Sequence, residues 1–208
     1  MKVFLIRHGE SDWNEHRRVQ GALDAPVLSR KGVKESERLK ERMKSEKVDV
    51  VYSSPLRRSL QTAKIAFPRK KILVNKNLIE RYYGKLEGKY WKDIERDHPA
   101  IFRAYYWERD LSGVKGEPLQ RLQGRSVKAF NEIIRKHHGE NIAVVCHGAV
   151  IKAIIAHLLG MPLNKMGVFN QGNCGITLLQ HDERLKGFKV KCVNDTSHVR
   201  NMMGREFA

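Results

Sequence analysis

The stretch Val3-Phe4-Leu5-Ile6-Arg7-His8-Gly9-Glu10 constrains the chain most. Four consecutive apolar residues read as a buried strand. A guanidinium, an imidazole and a glycine follow at once. The pattern returns twice. Val48-Asp49-Val50-Val51-Tyr52 runs into Ser53-Ser54-Pro55-Leu56-Arg57-Arg58, and Ile142-Ala143-Val144-Val145-Cys146 runs into His147-Gly148. Helical stretches are expected over about Arg30 to Glu46, Leu119 to His138 and Ala149 to Leu159. Strands alternating with helices predict a mostly parallel sheet covered on both faces. The carboxyl ends of parallel strands share one edge, where ligands of open α/β sheets gather.

The 208 residues fit one domain, 1–208. An apolar content of 41% and a charged fraction of 30% are ordinary for a globular protein. No apolar run approaches the roughly 18 residues of a membrane span. The N-terminal run is also too short for the h-region of a signal peptide. Cys146, Cys174 and Cys192 are odd in number and too far apart for a metal knuckle or redox pair. They read as reduced, buried thiols in a cytoplasmic protein. The net charge of +17 implies attraction to anions without saying which.

The strand ends carry the chemistry. Serine before proline marks a helix start, which sets Arg57 and Arg58 in a first turn beside free backbone N–H groups. Arg57 is read as the anion-binding residue and Arg58 as a surface residue. Arg7, His8, Arg57 and His147 should therefore meet at one edge, a set that suits a phosphate dianion. One histidine can attack phosphorus when neutral. The other can donate to oxygens that gain charge in the transition state. The leaving oxygen needs a proton, and Glu80 and Glu10 are both placed to give it. Glycine after each histidine, Gly9 and Gly148, lets a ligand approach the backbone closely. The spacing of acidic and histidine residues matches no metal set, and no nucleotide-type glycine loop is present.

Taken in order, these motifs resemble the histidine phosphatase superfamily, the phosphoglycerate mutase-like fold. The resemblance rests on Arg7-His8-Gly9-Glu10 with Trp13-Asn14, and on Ser53-Ser54-Pro55-Leu56-Arg57-Arg58 with Gln61-Thr62-Ala63. It continues through Leu78-Ile79-Glu80 with Gly84 and Glu87-Gly88, Cys146-His147-Gly148, and Asn194-Asp195-Thr196-Ser197-His198. It implies a three-layer α/β/α sandwich with a helical lid over about 82–125. It also implies that His8 becomes phosphohistidine, and that Arg7, Arg57, His147 and Asn14 hold the phosphoryl oxygens. Glu80 would be the proton donor and then the base for water. No cofactor, metal or nucleotide, is implied.

Arg18-Val19-Gln20-Gly21 is similar to the phosphatase branch, which brings Gln20 and Gly21 into the substrate site. Glu80-Arg81-Tyr82-Tyr83-Gly84 is similar to the mutase stretch whose arginine and tyrosine touch phosphoglycerate, which brings in Arg81 and Tyr83. The expectation is a metal-independent phosphomonoesterase for a small phosphorylated metabolite. A 2,3-bisphosphoglycerate-dependent mutase is the first alternative. A basic nucleic-acid-binding protein on the same scaffold is the second; the charge favours it, and the lack of a nucleic-acid motif disfavours it. No membrane partner is expected, and a homodimer is compatible with the sequence.

Overall fold

The computed structural model describes residues 1–202, and the statements below concern these. Six strands form one sheet: β1 (Lys2–Arg7), β2 (Val50–Ser53), β3 (Ile72–Val74), β4 (Ile142–Cys146), β5 (Ile176–Asp182) and β6 (Gly187–Asp195). Their order is β3-β2-β4-β1-β5-β6. β1 to β4 run parallel to one another, β5 pairs antiparallel with β1, and β6 pairs antiparallel with β5 as a hairpin.

Side-chain alternation along β1 explains the layers, because successive residues of a strand point to opposite faces. Val3 and Leu5 pack with Leu122, Phe130 and Ile133 of α6 (Leu119–Lys136) and with Val150, Ile151 and Ile154 of α7 (Gly148–Leu158). Phe4 and Ile6 pack with Leu39 and Met43 of α2 (Arg30–Met43) and with Ala63 and Ala66 of α3 (Arg57–Ala66). The sheet is thus covered on both faces, as the continuous apolar runs require. Burying a leucine, isoleucine or phenylalanine in this way stabilises by about 2 kcal/mol each.

Several boundaries differ from expectation by a few residues, and one matters for function. Helix α2 ends at Met43, before Glu46. Helix α3 starts at Arg57, two residues after the proline. The Ser54 hydroxyl accepts from the Leu56 N–H (3.3 Å), so Ser54 to Leu56 form a turn ahead of the helix.

Irregular backbone fills the stretch between β3 and α6. It holds 3₁₀ turns at Gly84–Leu86 and Ser112–Val114, and short helices α4 (Trp91–Asp97) and α5 (Pro99–Arg103). Helix α1, at Asp12–Glu15, lies in the loop after β1. A π-helical turn, Ala104–Glu108, follows α5 and ends at Arg109 in the left-handed region (φ 58°). Val19, Leu86, Ile94, Leu111 and Val114 form a small core of their own beneath these turns. Of the cysteines, Cys146 and Cys174 are buried as expected, but Cys192 is exposed on the edge strand β6. Among the described residues no helix is long and apolar enough to cross a membrane.

Candidate active site

Sheet register lines up the polar strand ends. The last β1–β4 pair is Arg7 with Cys146, so His8 and His147 are the next residues on adjacent strands. The His8 N–H donates to the Cys146 carbonyl (3.0 Å), and the two imidazole centroids lie 5.2 Å apart, edge to face. On the other side of β4, Ser53 pairs with Val145, and Ser54 donates its N–H to the Val145 carbonyl (3.0 Å). His8, His147 and Ser54 therefore stand in a row along one sheet edge.

A hydrogen bond to a carbonyl assigns the state of the His8 ring. Nδ1 of His8 lies 2.7 Å from the Gly9 carbonyl, which can only accept, so Nδ1 carries the hydrogen. The lone pair is left on Nε2. His147 Nε2 and the Ser54 hydroxyl share a hydrogen bond (2.8 Å) in which the hydroxyl, which also accepts from the Leu56 N–H, can play either part. Nδ1 of His147 is buried and makes no hydrogen bond among the described residues. Burial holds both rings far below the ordinary imidazole range, and the Arg58 guanidinium adds to the depression of each. His8 is thus held neutral, the form that can attack an electrophile.

The arginine pair is reversed from the sequence reading. The Arg57 side chain is 62% exposed and makes an ion pair with Asp24 (3.4 Å), while Arg58 is 0% exposed. Arg58 donates to the Leu23 and Gly21 carbonyls (2.8 Å each), and burial pushes its guanidinium down to about 10 against the pull of Glu80. The cause is helix phase. The buried face of α3 is Arg58, Ser59, Thr62, Ala63 and Ala66. An α-helix turns about 100° per residue, so Arg57 falls off that face. The signal was in the sequence. Arg58, Thr62 and Ala66 recur at i, i+4, i+8, and Arg57 shares its face with Gln61 and Lys64.

Arg7, His8, Asn14, Arg58, Glu80 and Tyr83 line a cavity of about 210 Å³, with Gln20 and Gly21 at its wall. Arg7 donates to the Gln171 carbonyl (2.7 Å), which fixes its direction. The Asn14 oxygen accepts from the Ser11 hydroxyl (3.0 Å) and N–H (3.1 Å), so its NH₂ is the group left to face a ligand. Gly21 takes φ +51°, and a Cβ there would run into the Glu87 carboxylate. That turn presents the carbonyl that holds Arg58. Buried Oε1 of Gln20 has no hydrogen-bond partner among the described residues.

Glu80 lies between Arg81 and the start of α7. Its carboxylate accepts from the Arg81 N–H (2.8 Å) and the Ala149 N–H (3.3 Å). Arg125 braces this segment, donating to the Ile79 and Glu80 carbonyls and pairing with Glu117 (2.8 Å). Glu10 stands apart from the cavity, held by Ser29 (2.9 Å) and Lys31 (2.8 Å). Arg81 spends its donors on the Glu117 and Arg109 carbonyls (2.8 Å each) and lines an adjoining cavity with Gly148. Tyr83 lines both cavities; burial, with Tyr105 and Glu80 beside it, raises its phenol well above the usual range. Sequence reading also missed two supports: Thr62, whose oxygen accepts the Gly9 N–H (2.9 Å), and Asn173, which donates to the His8 carbonyl (3.0 Å).

A neutral imidazole backed by two guanidiniums and faced by one carboxylate defines a class. The family model for the histidine phosphatase superfamily (branch 1) matches residues 3–196, and the chain belongs to that superfamily. It is accordingly an enzyme of the phosphatase class with a histidine nucleophile. Phosphoserine phosphatase 1 of Hydrogenobacter thermophilus is 35% identical over 188 residues, 88% of each chain. The solved structure of Bacillus stearothermophilus YhfR matches with a TM-score of 0.87 at 30% identity, over 95% of this chain and 98% of that one. A phosphoserine phosphatase mutant from Entamoeba histolytica, in complex with phosphoserine, matches with a TM-score of 0.83 at 26% identity, over 95% and 98%.

Proposed function

We propose that the chain hydrolyses small phosphomonoesters through a phosphohistidine on His8, without a metal ion. One observation carries this reading. His8 is buried and neutral, with Nδ1 tied to the Gly9 carbonyl and Nε2 free to attack, in a cavity that also holds Arg7 and Arg58.

In the first step Nε2 of His8 attacks phosphorus and the P–O ester bond breaks. The leaving oxygen takes the proton of the Glu80 carboxyl. In the second, water attacks the phosphoryl group, Glu80 takes the water's proton, and the P–N bond breaks to release phosphate. Phosphoryl transfer demands positioning and charge stabilisation more than covalent help. Arg7 and Arg58 supply positive charge for the phosphoryl oxygens, Asn14 its NH₂ and His147 a ring N–H. Each such donor, preorganised in a site shielded from water, is worth about 3 kcal/mol in the transition state. Tyr83 and Tyr105 line both cavities, which supports residues 82–125 as the lid over the site.

The test is phosphate release from a panel of phosphomonoesters with a metal chelator present. Release unchanged by chelation is the expected result. Isomerisation of phosphoglycerate outrunning release, or loss of activity on chelation, would overturn the reading.

A further inference from the structure

Glu87, in the Glu87-Gly88 motif, has no part in the proposed reaction and does not line the cavity at His8. Its half-buried side chain nonetheless reaches the floor of the site. Oε1 accepts from the Ala22 N–H (2.7 Å) and from the Tyr83 N–H (3.0 Å). A carboxylate that merely closed the Gly84–Leu86 turn would need the second bond alone. The first bond is the shorter, and it spans 65 residues. Burial raises the Glu87 carboxyl above the usual range, against the pull of these two N–H groups and of Arg58. Taking a carboxylate partly out of water is costly unless it is compensated.

The Ala22 N–H and the Gly21 carbonyl belong to one peptide unit, and in a trans peptide they point in opposite directions. The carbonyl end accepts from Nη2 of Arg58 (2.8 Å). One peptide group therefore lies between a carboxylate and a guanidinium, with its dipole aligned to both. Hydrogen bonds in such a chain polarise and strengthen one another. Arg58 is fully buried and meets no carboxylate directly among the described residues. Gly21, at φ +51°, leaves free the space that the Glu87 carboxylate fills. The Tyr83 bond adds a second link. Tyr83 lines both the cavity at His8 and an adjoining one of about 180 Å³, which Lys152 and Arg109 also line. These two chambers share Arg7, Glu80 and Tyr105 as well.

We infer that Glu87 is a positioning residue for Arg58: acting through the Gly21–Ala22 peptide, its carboxylate holds the guanidinium in place for the phosphoryl oxygens. Through the Tyr83 N–H the same carboxylate ties that arrangement to the wall shared by the two chambers. This rests on the proposed phosphomonoesterase reading and adds to it a residue that acts without touching the substrate. The single peptide held at both ends by opposite charges carries the inference.

The test is a double-mutant cycle. Glu87→Gln keeps the shape and an accepting oxygen but removes the charge. It should lower kcat by about 10-fold on alkyl and aryl phosphates alike, the order by which a charged hydrogen bond outweighs a neutral one. In an Arg58→Ala background the same substitution should change kcat by less than about twofold, because the group it positions is gone. Should Glu87→Gln fail to fold, as read by circular dichroism, Gly21→Ala supplies the cycle instead, since its Cβ displaces the carboxylate without removing it. An equal fall with and without Arg58, or a wild-type rate in Glu87→Gln, would overturn the positioning role and leave the phosphomonoesterase reading intact. No phosphate release from any ester by the wild type would sink both.

Discussion

The two chambers of the cleft are built on different principles. In the first, the main chain or a fixed hydroxyl already holds each reactive group. His8 is tied to Gly9, Arg58 to Gly21 and Leu23, and Arg7 to Gln171, while His147, buried beside His8 and not itself lining the cavity, is tied to Ser54. These holds come from the sheet edge and from loops that pack on it. In the second, Lys152 is unpartnered among the described residues and Arg109 rests on aromatic faces at the end of a π-helical turn. The difference tells which chamber is preset for catalysis. Preorganised donors lower the barrier of a step common to all phosphate esters.

Experiments can break this division or sharpen it. His8→Ala should cost the most: a fall in kcat of about 10⁴-fold or more, as for other lost nucleophiles, with the fold checked by circular dichroism. Arg58→Ala should lower kcat by about 10³-fold for every ester alike. Its neighbour is the control. Arg57→Ala removes only an exposed ion pair worth about 0–1 kcal/mol, and steady-state rates should not move. If Arg57→Ala were the damaging substitution, the placement of the pair would be wrong.

Glu80→Gln should lower kcat/KM, which reads the first transfer, by about 10²-fold for alkyl phosphates and much less for aryl phosphates, because only a poor leaving group needs the proton in that transition state. Equal slowing of both would remove the acid from the scheme. The smallest effect concerns pH. His8 must be neutral to attack, and its folded-state value lies well below the usual 6.5. The acid limb of kcat/KM should therefore fall below that value. Arg58→Ala deletes a nearby positive charge, so His8 should bind its proton more readily and the limb should move up in pH. A limb that stays put would mean that burial and Arg7, without Arg58, set the ring's state.

The two chambers also differ in how much of them could be read from sequence. Val3 to Ile6 and Ile142 to Cys146 are buried on both faces, so their apolar runs announce central strands, and the histidines that end them announce the floor. Register is not local information: that His8 meets His147 depends on which strands pair. Helix phase was legible but misread. A start at Pro55 sets both arginines in the first turn without choosing between them, whereas the Arg58, Thr62, Ala66 spacing turns Arg58 inward and Arg57 outward. Glu80 stands out in sequence only as an isolated carboxylate. Its site is made by Ala149, 69 residues away, and by the Arg125 brace. Lys152 could have been noticed as the one charge in an apolar helix. Arg109 could not, because its direction comes from an irregular turn between Ala104 and Glu108 that no simple periodicity encodes.

The central claim is that the phosphoryl group passes through His8. Rapid acid-free quenching after a pulse of phosphate-labelled ester tests it most directly, with the label mapped by mass spectrometry. The account predicts an acid-labile, base-stable phosphate on the peptide carrying His8, present in the wild type, enriched in a variant with slowed hydrolysis such as Glu80→Gln on an aryl ester, and absent in His8→Ala. Label on another residue, or turnover that persists in His8→Ala, would contradict it.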